Sequence, residues 1–365
     1  MSGSSFGTLF CITTWGESHG DSMGVVIDGC PSGLELHALD IQKFLERRKP
    51  NQNPYATSRK EPDHVEILSG IYHHRTTGAP IALQIKNVDY HSADYHALED
   101  IYRPGHSDYT YEYKYGIRDL RGGGRSSGRE TIGRVAAGAI ASKLLSQLGI
   151  TCTTYSKSIG SVTVSPSDYI YTQINENSLY MPNNAYAKQA QLELEQIMSE
   201  HDSIGGVIEC IVTNVPIGIG EPVFDKLEAN LAKAVMSIGS VKGFEIGDGF
   251  ASSISKGSFH NDCFCTTNGL IHKKSNHAGG VLGGISDGSD LILRAAIKPT
   301  PSISQAQESV NNRGDSVNIT VTGRHDVTIV PRAVVVVESM VALTLMDMLC
   351  LNMHTQLDRL IDFYK

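Results

Sequence analysis

No lysine or arginine occurs before Lys43, so the start of the chain carries neither the charged n-region of a secretory signal nor an Arg-rich transit peptide. Cysteine is sparse and scattered at Cys11, Cys30, Cys152, Cys210, Cys263, Cys265 and Cys350. That is an odd number without a C-x-x-C pair, and Cys263-Phe264-Cys265 has the wrong spacing for a zinc knuckle. Free thiols in a reducing compartment follow, and a cytoplasmic protein is expected. H-E-x-x-H, EF-hand and spaced Cys/His patterns are all missing, so no protein-bound metal is expected. The longest apolar segment, near residues 333–353, is broken by Glu338 and Asp347 and reads as a core helix, not a membrane span. A broad positive field is lacking too. The formal net charge of −8 argues against nonspecific nucleic-acid binding. Repeats, low-complexity tracts and Pro/Ser-rich linkers are likewise absent.

What is present is an ordinary globular composition: 365 residues, 40% apolar, with 36 glycines along the whole length. A single domain over 1–365 is expected, with a core large enough to frame a deep cleft. Strands are predicted at Gly24–Cys30, His64–Ser69, Ile81–Lys86, Val207–Asn214, Leu291–Ile297 and Val327–Val330. Helical periodicity covers roughly 39–48, 131–149, 187–200, 222–237 and 333–353. With no regular βαβ alternation, the order predicts an α+β fold built on antiparallel sheet. The polar stretch 155–187 reads as an irregular surface insertion.

Residues 103–134 carry the strongest chemical signal. Arg103-Pro104-Gly105-His106 is followed by Arg118-Asp119-Leu120-Arg121-Gly122-Gly123-Gly124-Arg125-Ser126-Ser127-Gly128-Arg129 and then Arg134. Seven basic residues face four acidic ones here, a local excess of three within an acidic chain. Glycines and hydroxyls interleave the bases, so backbone N–H groups and guanidinium forks can grip one anion together. Helical spacing begins directly afterwards, which puts the loop at a helix N-terminus, favourable to negative charge. The alternative is a solvated arginine-rich surface loop.

Several motifs are incomplete. Gly16-Glu17-Ser18-His19-Gly20 fits the G-x-S-x-G elbow of hydrolases, but a strand-like segment follows it where the elbow needs a helix. The other reading is that His19 itself acts, in a glycine-bracketed turn. Gly123 and Gly128 have Walker A spacing, yet Arg129-Glu130 stands where Lys-Ser/Thr is required. Gly323-Arg324-His325-Asp326, before Pro331-Arg332, sets a carboxylate among cations, which would keep it ionised. Alone, that is also what a structural salt-bridge cluster looks like. Lys298-Pro299-Thr300-Pro301-Ser302 offers a cation and hydroxyls to a phosphate. Asn276 to Ile285 is a second glycine-rich segment, where a flat ring could lie close to backbone.

Taken in order, Gly16–Gly20, Arg103–His106, Arg121–Arg129, Glu245-Ile246-Gly247-Asp248-Gly249-Phe250, Asn276–Ser286, Lys298–Thr300 and Gly323–Asp326 resemble the chorismate synthase family over about residues 6–348. The resemblance implies a β-α-β sandwich, usually a homotetramer, in the shikimate pathway to the aromatic amino acids. It implies a carbon–oxygen lyase that eliminates phosphate and a ring hydrogen from 5-enolpyruvylshikimate 3-phosphate in an anti-1,4 sense. Reduced FMN is required although the overall reaction is redox-neutral. NADPH and a separate flavin reductase are the two routes by which the flavin could be reduced. By resemblance, His19 would protonate the departing phosphate, His106 would hold the reduced flavin's protonation state, and Asp326 would act at its N5 proton. Arg125, Ser126, Ser127, Gly239, Ser240, Gly283, Lys298, Pro299, Thr300, Pro301, Ser302 and Arg324 match FMN-contacting positions. Arg48, Arg103, Arg129 and Arg332 match the substrate pocket. Pro54 stands where many relatives carry an arginine, which puts that loop's usual contact in doubt. The readings kept beside this one are a Ser18-based hydrolase and a non-catalytic flavin- or anion-binding protein.

Overall fold

The computed structural model describes residues 3–50, 53–57, 61–88, 99–119, 123–321 and 326–365. The chain opens with strands β1 (Ser5–Phe6), β2 (Cys11–Gly16) and β3 (Ser22–Asp28), then helix α1 (Ala38–Arg48). Strands β4 (Val65–Ile67), β5 (Ile71–Tyr72), β6 (Arg75–Thr76) and β7 (Ile81–Lys86) follow. Helices α2 (Asp108–Tyr115) and α3 (Thr131–Gln147) lead to β8 (Thr151–Ile159), β9 (Val162–Thr163) and α4 (Asn184–Ser199). Next come β10 (Gly206–Thr213), α5 (Leu227–Met236), β11 (Val241–Ile246) and the short α6 (Gly257–His260). Small strands β12 (Phe264–Thr267), β13 (Leu270–Lys273), β14 (Val281–Leu282) and β15 (Ile285–Ser286) precede β16 (Leu291–Ile297). The hairpin β17 (Ala306–Val310) and β18 (Ser316–Thr320), then α7 (Val330–Asn352) and α8 (Leu357–Tyr364), complete it.

Two five-stranded sheets, ordered β1-β2-β3-β7-β4 and β11-β16-β10-β8-β9, are antiparallel throughout. Helix α3 packs on β2 and β3 of the first sheet, α7 on β8 and β10 of the second, and the two helices pack against each other. The result is an α+β sandwich with helices between the sheets, as expected, and one apolar core runs through all three layers.

The helix sequences suit that middle layer. Gly133, Ala136, Ala137, Gly138, Ala139 and Ala141 of α3 are all buried, because a helix clamped on two sides needs small residues for close approach. At Gly138 a Cβ would lie 2.2 Å from the Ser339 Cβ of α7, so only glycine permits this crossing. Helix α7 starts on Val330-Pro331, where proline's fixed φ suits a first turn and its missing N–H costs nothing. Its two interrupting charges are anchors. Both guanidinium ends of Arg47 donate to Glu338, at 3.0 and 2.6 Å. Asp347 accepts the backbone N–H groups of Thr8, Leu9 and Phe10 at 2.9, 2.7 and 2.9 Å. This helix is long and apolar enough to cross a membrane, but it is buried within the protein.

Two expectations need correction. Val327–Val330 is not a strand, since the helix claims Val330. Nor is the start of 155–187 an irregular insertion: β8 runs through it, between β10 and β9. Several of its polar side chains are buried and hydrogen-bonded: Thr154 Oγ1 donates to Cys210 Sγ, the Tyr155 hydroxyl donates to Glu209 at 2.5 Å, and Ser158 Oγ accepts Val207 N–H at 3.1 Å. Hydrogen bonding replaces the apolar alternation that marks an ordinary strand.

Candidate active site

Residues 16–20 close the β2–β3 hairpin. Gly16 has φ +89°, and a Cβ there would meet the Ser22 carbonyl at 2.4 Å. Strand therefore follows strand, and Ser18 is not on a hydrolase elbow. The turn is closed by Gly20 N–H donating to the Glu17 carbonyl at 3.1 Å. Ser18 and His19 are both buried, with Ser18 Oγ 3.1 Å from His19 Nδ1.

The arginine-rich loop does run into a helix. Gly123 and Gly124 take positive φ, and a 3-10 turn covers Gly124–Ser126. Ser127 Oγ then accepts Arg129 N–H and caps a second 3-10 turn that leads into α3. Arg103 precedes α2 and grips its first residue, Asp108, through Nε and Nη2 at 2.7 and 2.8 Å. His106 Nδ1 lies 2.9 Å from Asp108 Oδ1 and 3.0 Å from Arg103 Nη2. Nδ1 is thus engaged by Asp108 and Arg103, and Nε2 is the nitrogen left for a ligand. Although burial opposes it, hydrogen bonds from Arg103 and His106 hold Asp108 well below the usual carboxylate range.

These elements surround a cleft of about 270 Å³. Arg48, Arg103, His106, Ser126, Ser127, Gly239, Ser240, Thr300, Pro301, Ser302, Asp326 and Arg332 all line it. Twelve residues scattered from 48 to 332 thus meet at one place. A larger groove of about 680 Å³ shares Ser126, Ser127, Gly128 and Gly239 with the cleft, and Arg125, Tyr111 and Tyr115 line that groove. Together they have the scale of a pocket for a cofactor plus a small substrate.

The remaining predicted residues, among those described, are not on the wall of the smaller cleft. Arg125 turns toward β2, donating to the Gly16 carbonyl at 3.2 Å and to Thr14 Oγ1 at 2.7 Å. Lys298 Nζ donates to the Gly105 carbonyl at 3.2 Å, tying the His106 loop to the loop at 298–302, with Pro299 beside it. Burial and the nearby Lys242 lower its ammonium pKa. Gly283 lies in the β14–β15 turn, and neither it nor His19 or Arg129 lines the cleft. Arg324 falls outside the described residues, as do Arg121 and Gly122 of the arginine loop.

Behind the cleft lies a layer the sequence analysis did not single out. Asp63, fully buried, accepts Arg48 Nη2 at 2.8 Å and Arg129 Nη1 at 3.1 Å. Arg129 Nη2 reaches Glu61 at 3.4 Å and its Nε donates to Asn87 Oδ1 at 2.5 Å. Arg332 Nε donates to the Arg48 carbonyl, and its Nη1 holds both Asp326 oxygens at 3.0 and 2.8 Å. Burial pushes the Asp63 carboxyl up, yet Arg48 and Arg129 outweigh it and hold the group below its ordinary value. Burial pulls Arg48 down to about 10, with Asp63 opposing and Arg332 and Arg129 adding, so it remains a cation at neutral pH. The visible signal was Glu61-Pro62-Asp63, two acids ahead of a strand in a chain with a basic pocket.

No group of His, Cys, Asp and Glu among the described residues could hold a metal. The cleft does fit a phosphorylated cofactor. Thr300 Oγ1 is buried on its wall without a partner, and space is open beside Gly239, where a Cβ would meet nothing within 4 Å. Fold and site thus define an enzyme that handles small, multiply anionic molecules.

The chorismate synthase family model matches residues 10–350. The chain is 55% identical to the chorismate synthase of Agathobacter rectalis over 365 residues, covering all of both chains. It is 56% identical to that of Lachnoclostridium phytofermentans over 366 residues, again with full coverage. A crystal structure of chorismate synthase matches with a TM-score of 0.77 at 29% identity, covering 98% of each chain. The chain belongs to the chorismate synthase family. It is a lyase that converts 5-enolpyruvylshikimate 3-phosphate to chorismate, and the family requires reduced FMN.

Proposed function

We propose that the elimination is carried by His19, His106 and Asp326, with Arg48, Arg103 and Arg332 holding the substrate. The observation that carries this reading is the meeting of His106, Asp326 and those three arginines on one small cleft. The substrate bears a phosphate and two carboxylates, and planar guanidiniums match such groups through paired hydrogen bonds. Ser126, Ser127, Ser240, Thr300 and Ser302 would hold FMN alongside. Reduced flavin, when bound, supplies electron density that makes loss of a non-acidic ring hydrogen feasible as phosphate departs. His19 delivers a proton to the departing phosphate oxygen. His106, its Nδ1 held by Asp108, presents Nε2 to hold a proton at the cofactor side. Asp326 offers a carboxylate oxygen to the same cleft, aimed by Arg332 and by the Thr57 N–H at 3.0 Å.

The chain acts as one unit over 1–365, which the continuous core supports. A homotetramer is supported by large apolar side chains left outward at Phe250, Ile254, Phe259 and Ile271. Seven free cysteines support a cytoplasmic setting. NADPH or a separate flavin reductase supplies the reduction.

The decisive test is an anaerobic assay with photoreduced FMN. His19→Ala is expected to lower turnover about a hundredfold or more, the scale of a lost general acid, while substrate binding persists. Ser18→Ala is expected to retain most activity. Esterase activity that vanishes in Ser18→Ala, or full turnover in His19→Ala, overturns the assignment.

A further inference from the structure

Asn87 immediately follows β7, is buried, and belongs to none of the motifs above. Its backbone N–H donates to the Asp21 carbonyl at 3.1 Å. Its side-chain NH2 donates to the carbonyls of Glu17 and Gly20 at 3.1 and 2.6 Å, the two ends of the turn that carries Ser18 and His19. Its side-chain oxygen accepts Arg129 Nε at 2.5 Å. Arg129 continues to Asp63, and Asp63 to Arg48 on the cleft wall.

We propose that Asn87 is a positioning residue of the elimination, an amide that fixes the His19 turn against the arginine wall. This rests on the reading of His19 as the phosphate's proton donor. The chemistry of the group is specific. One planar amide supplies two donors and one acceptor. Aspartate offers acceptors only and serine a single donor, so neither clamps both carbonyls and still receives the guanidinium. On that reading the proton donor and the arginine wall stand on different elements, the β2–β3 hairpin turn and the Arg48–Asp63–Arg129 layer. A misplacement of about 1 Å between reacting groups can cost on the order of a hundredfold in rate. Asn87 removes that freedom by joining the two elements directly.

Asn87→Asp separates the two halves of the role. An oxygen still faces Arg129, but both donors to the turn are lost and two carbonyls now face a carboxylate. The expected result is a kcat lowered about tenfold to a hundredfold, with KM, and substrate affinity by calorimetry without flavin, unchanged within about twofold. The double variant His19→Ala/Asn87→Asp should be no slower than His19→Ala alone, because the turn then has no donor left to aim. If Asn87→Asp proves unstable, Asn87→Ala carries the same cycle; it should lower kcat and also raise KM, since Arg129 loses its acceptor. A kcat within about twofold of the parent, or an Asn87 effect that persists undiminished in the His19→Ala background, overturns the proposal. Full turnover in His19→Ala alone would instead remove the His19 reading, so the two failures are told apart.

Discussion

Replacing Asp63 by Asn tests whether the layer behind the cleft holds its arginines in place. Asp63 has φ +47°, a conformation that Asn tolerates as well as Asp, so this change removes charge without adding backbone strain. The carboxylate has no solvent exposure and receives two guanidinium hydrogen bonds, from Arg48 and Arg129. Losing one partner of a buried ion pair typically costs about 3–5 kcal/mol. The amide oxygen of Asn can still accept one of the two bonds, and Glu61 still serves Arg129, so about 3 kcal/mol is expected here. The sign with pH follows from the lowered carboxyl. Asp63's folded pKa lies below the ordinary 3.8, so its stabilisation is complete above about pH 5 and fades as pH falls through the folded value. Urea unfolding of parent and variant should show a constant gap from about pH 5.5 to 8 that narrows below about pH 4. KM for substrate should rise as well, because Arg48 lines the cleft. A gap under about 0.5 kcal/mol at pH 7, or one that widens in acid, refutes the reasoning.

Asp326→Asn should keep FMN and substrate binding but slow single turnovers about a hundredfold; intact turnover would leave Asp326 as a structural partner of Arg332 only. Gly138→Ala places a Cβ 2.2 Å from Ser339 Cβ and should destabilise by about 3 kcal/mol or more, seen as an earlier melt; an unchanged melting temperature would show that α3 and α7 can separate freely. Substrate should tighten FMN binding, since the cleft and groove share Ser126, Ser127, Gly128 and Gly239; equal flavin affinity with and without substrate, by fluorescence titration, contradicts a shared pocket.

The layered fold was legible where apolar spacing was strong. Ile81–Lys86 and Leu291–Ile297 match β7 and β16 residue for residue, and both central helices were visible. Strand β8 was hidden because Thr154 and Ser158 are buried as hydrogen-bonded hydroxyls, and no hydropathy pattern reports a hydrogen bond. The motifs located the cleft, since they contain many of the residues that line it. They missed Asp63 and Asn87, whose partners are 15 to 70 positions away in sequence. For Arg125 and Arg129 the motifs gave no direction: the first guanidinium donates to Thr14 at the edge of the larger groove, and the second reaches Asn87, Asp63 and Glu61 behind the cleft. Residue type announces that a cation is needed, but its direction is decided by neighbours that only the fold supplies.

The paired arginines have a consequence for ionic strength. Arg48, Arg103 and Arg332 on the cleft wall are each bonded to a carboxylate, Asp63, Asp108 and Asp326 respectively. Seen from beyond a Debye length, about 8 Å in physiological salt, each such pair is nearly neutral. The three guanidiniums therefore do little to draw a distant anion inward. On the proposed reading their preference would emerge only at contact, where donor directions already set by the carboxylates would meet the phosphate and carboxylates of the arriving molecule. Capture should accordingly depend on added salt far less than the number of arginines suggests, and a polyanion of the wrong shape gains little from charge alone.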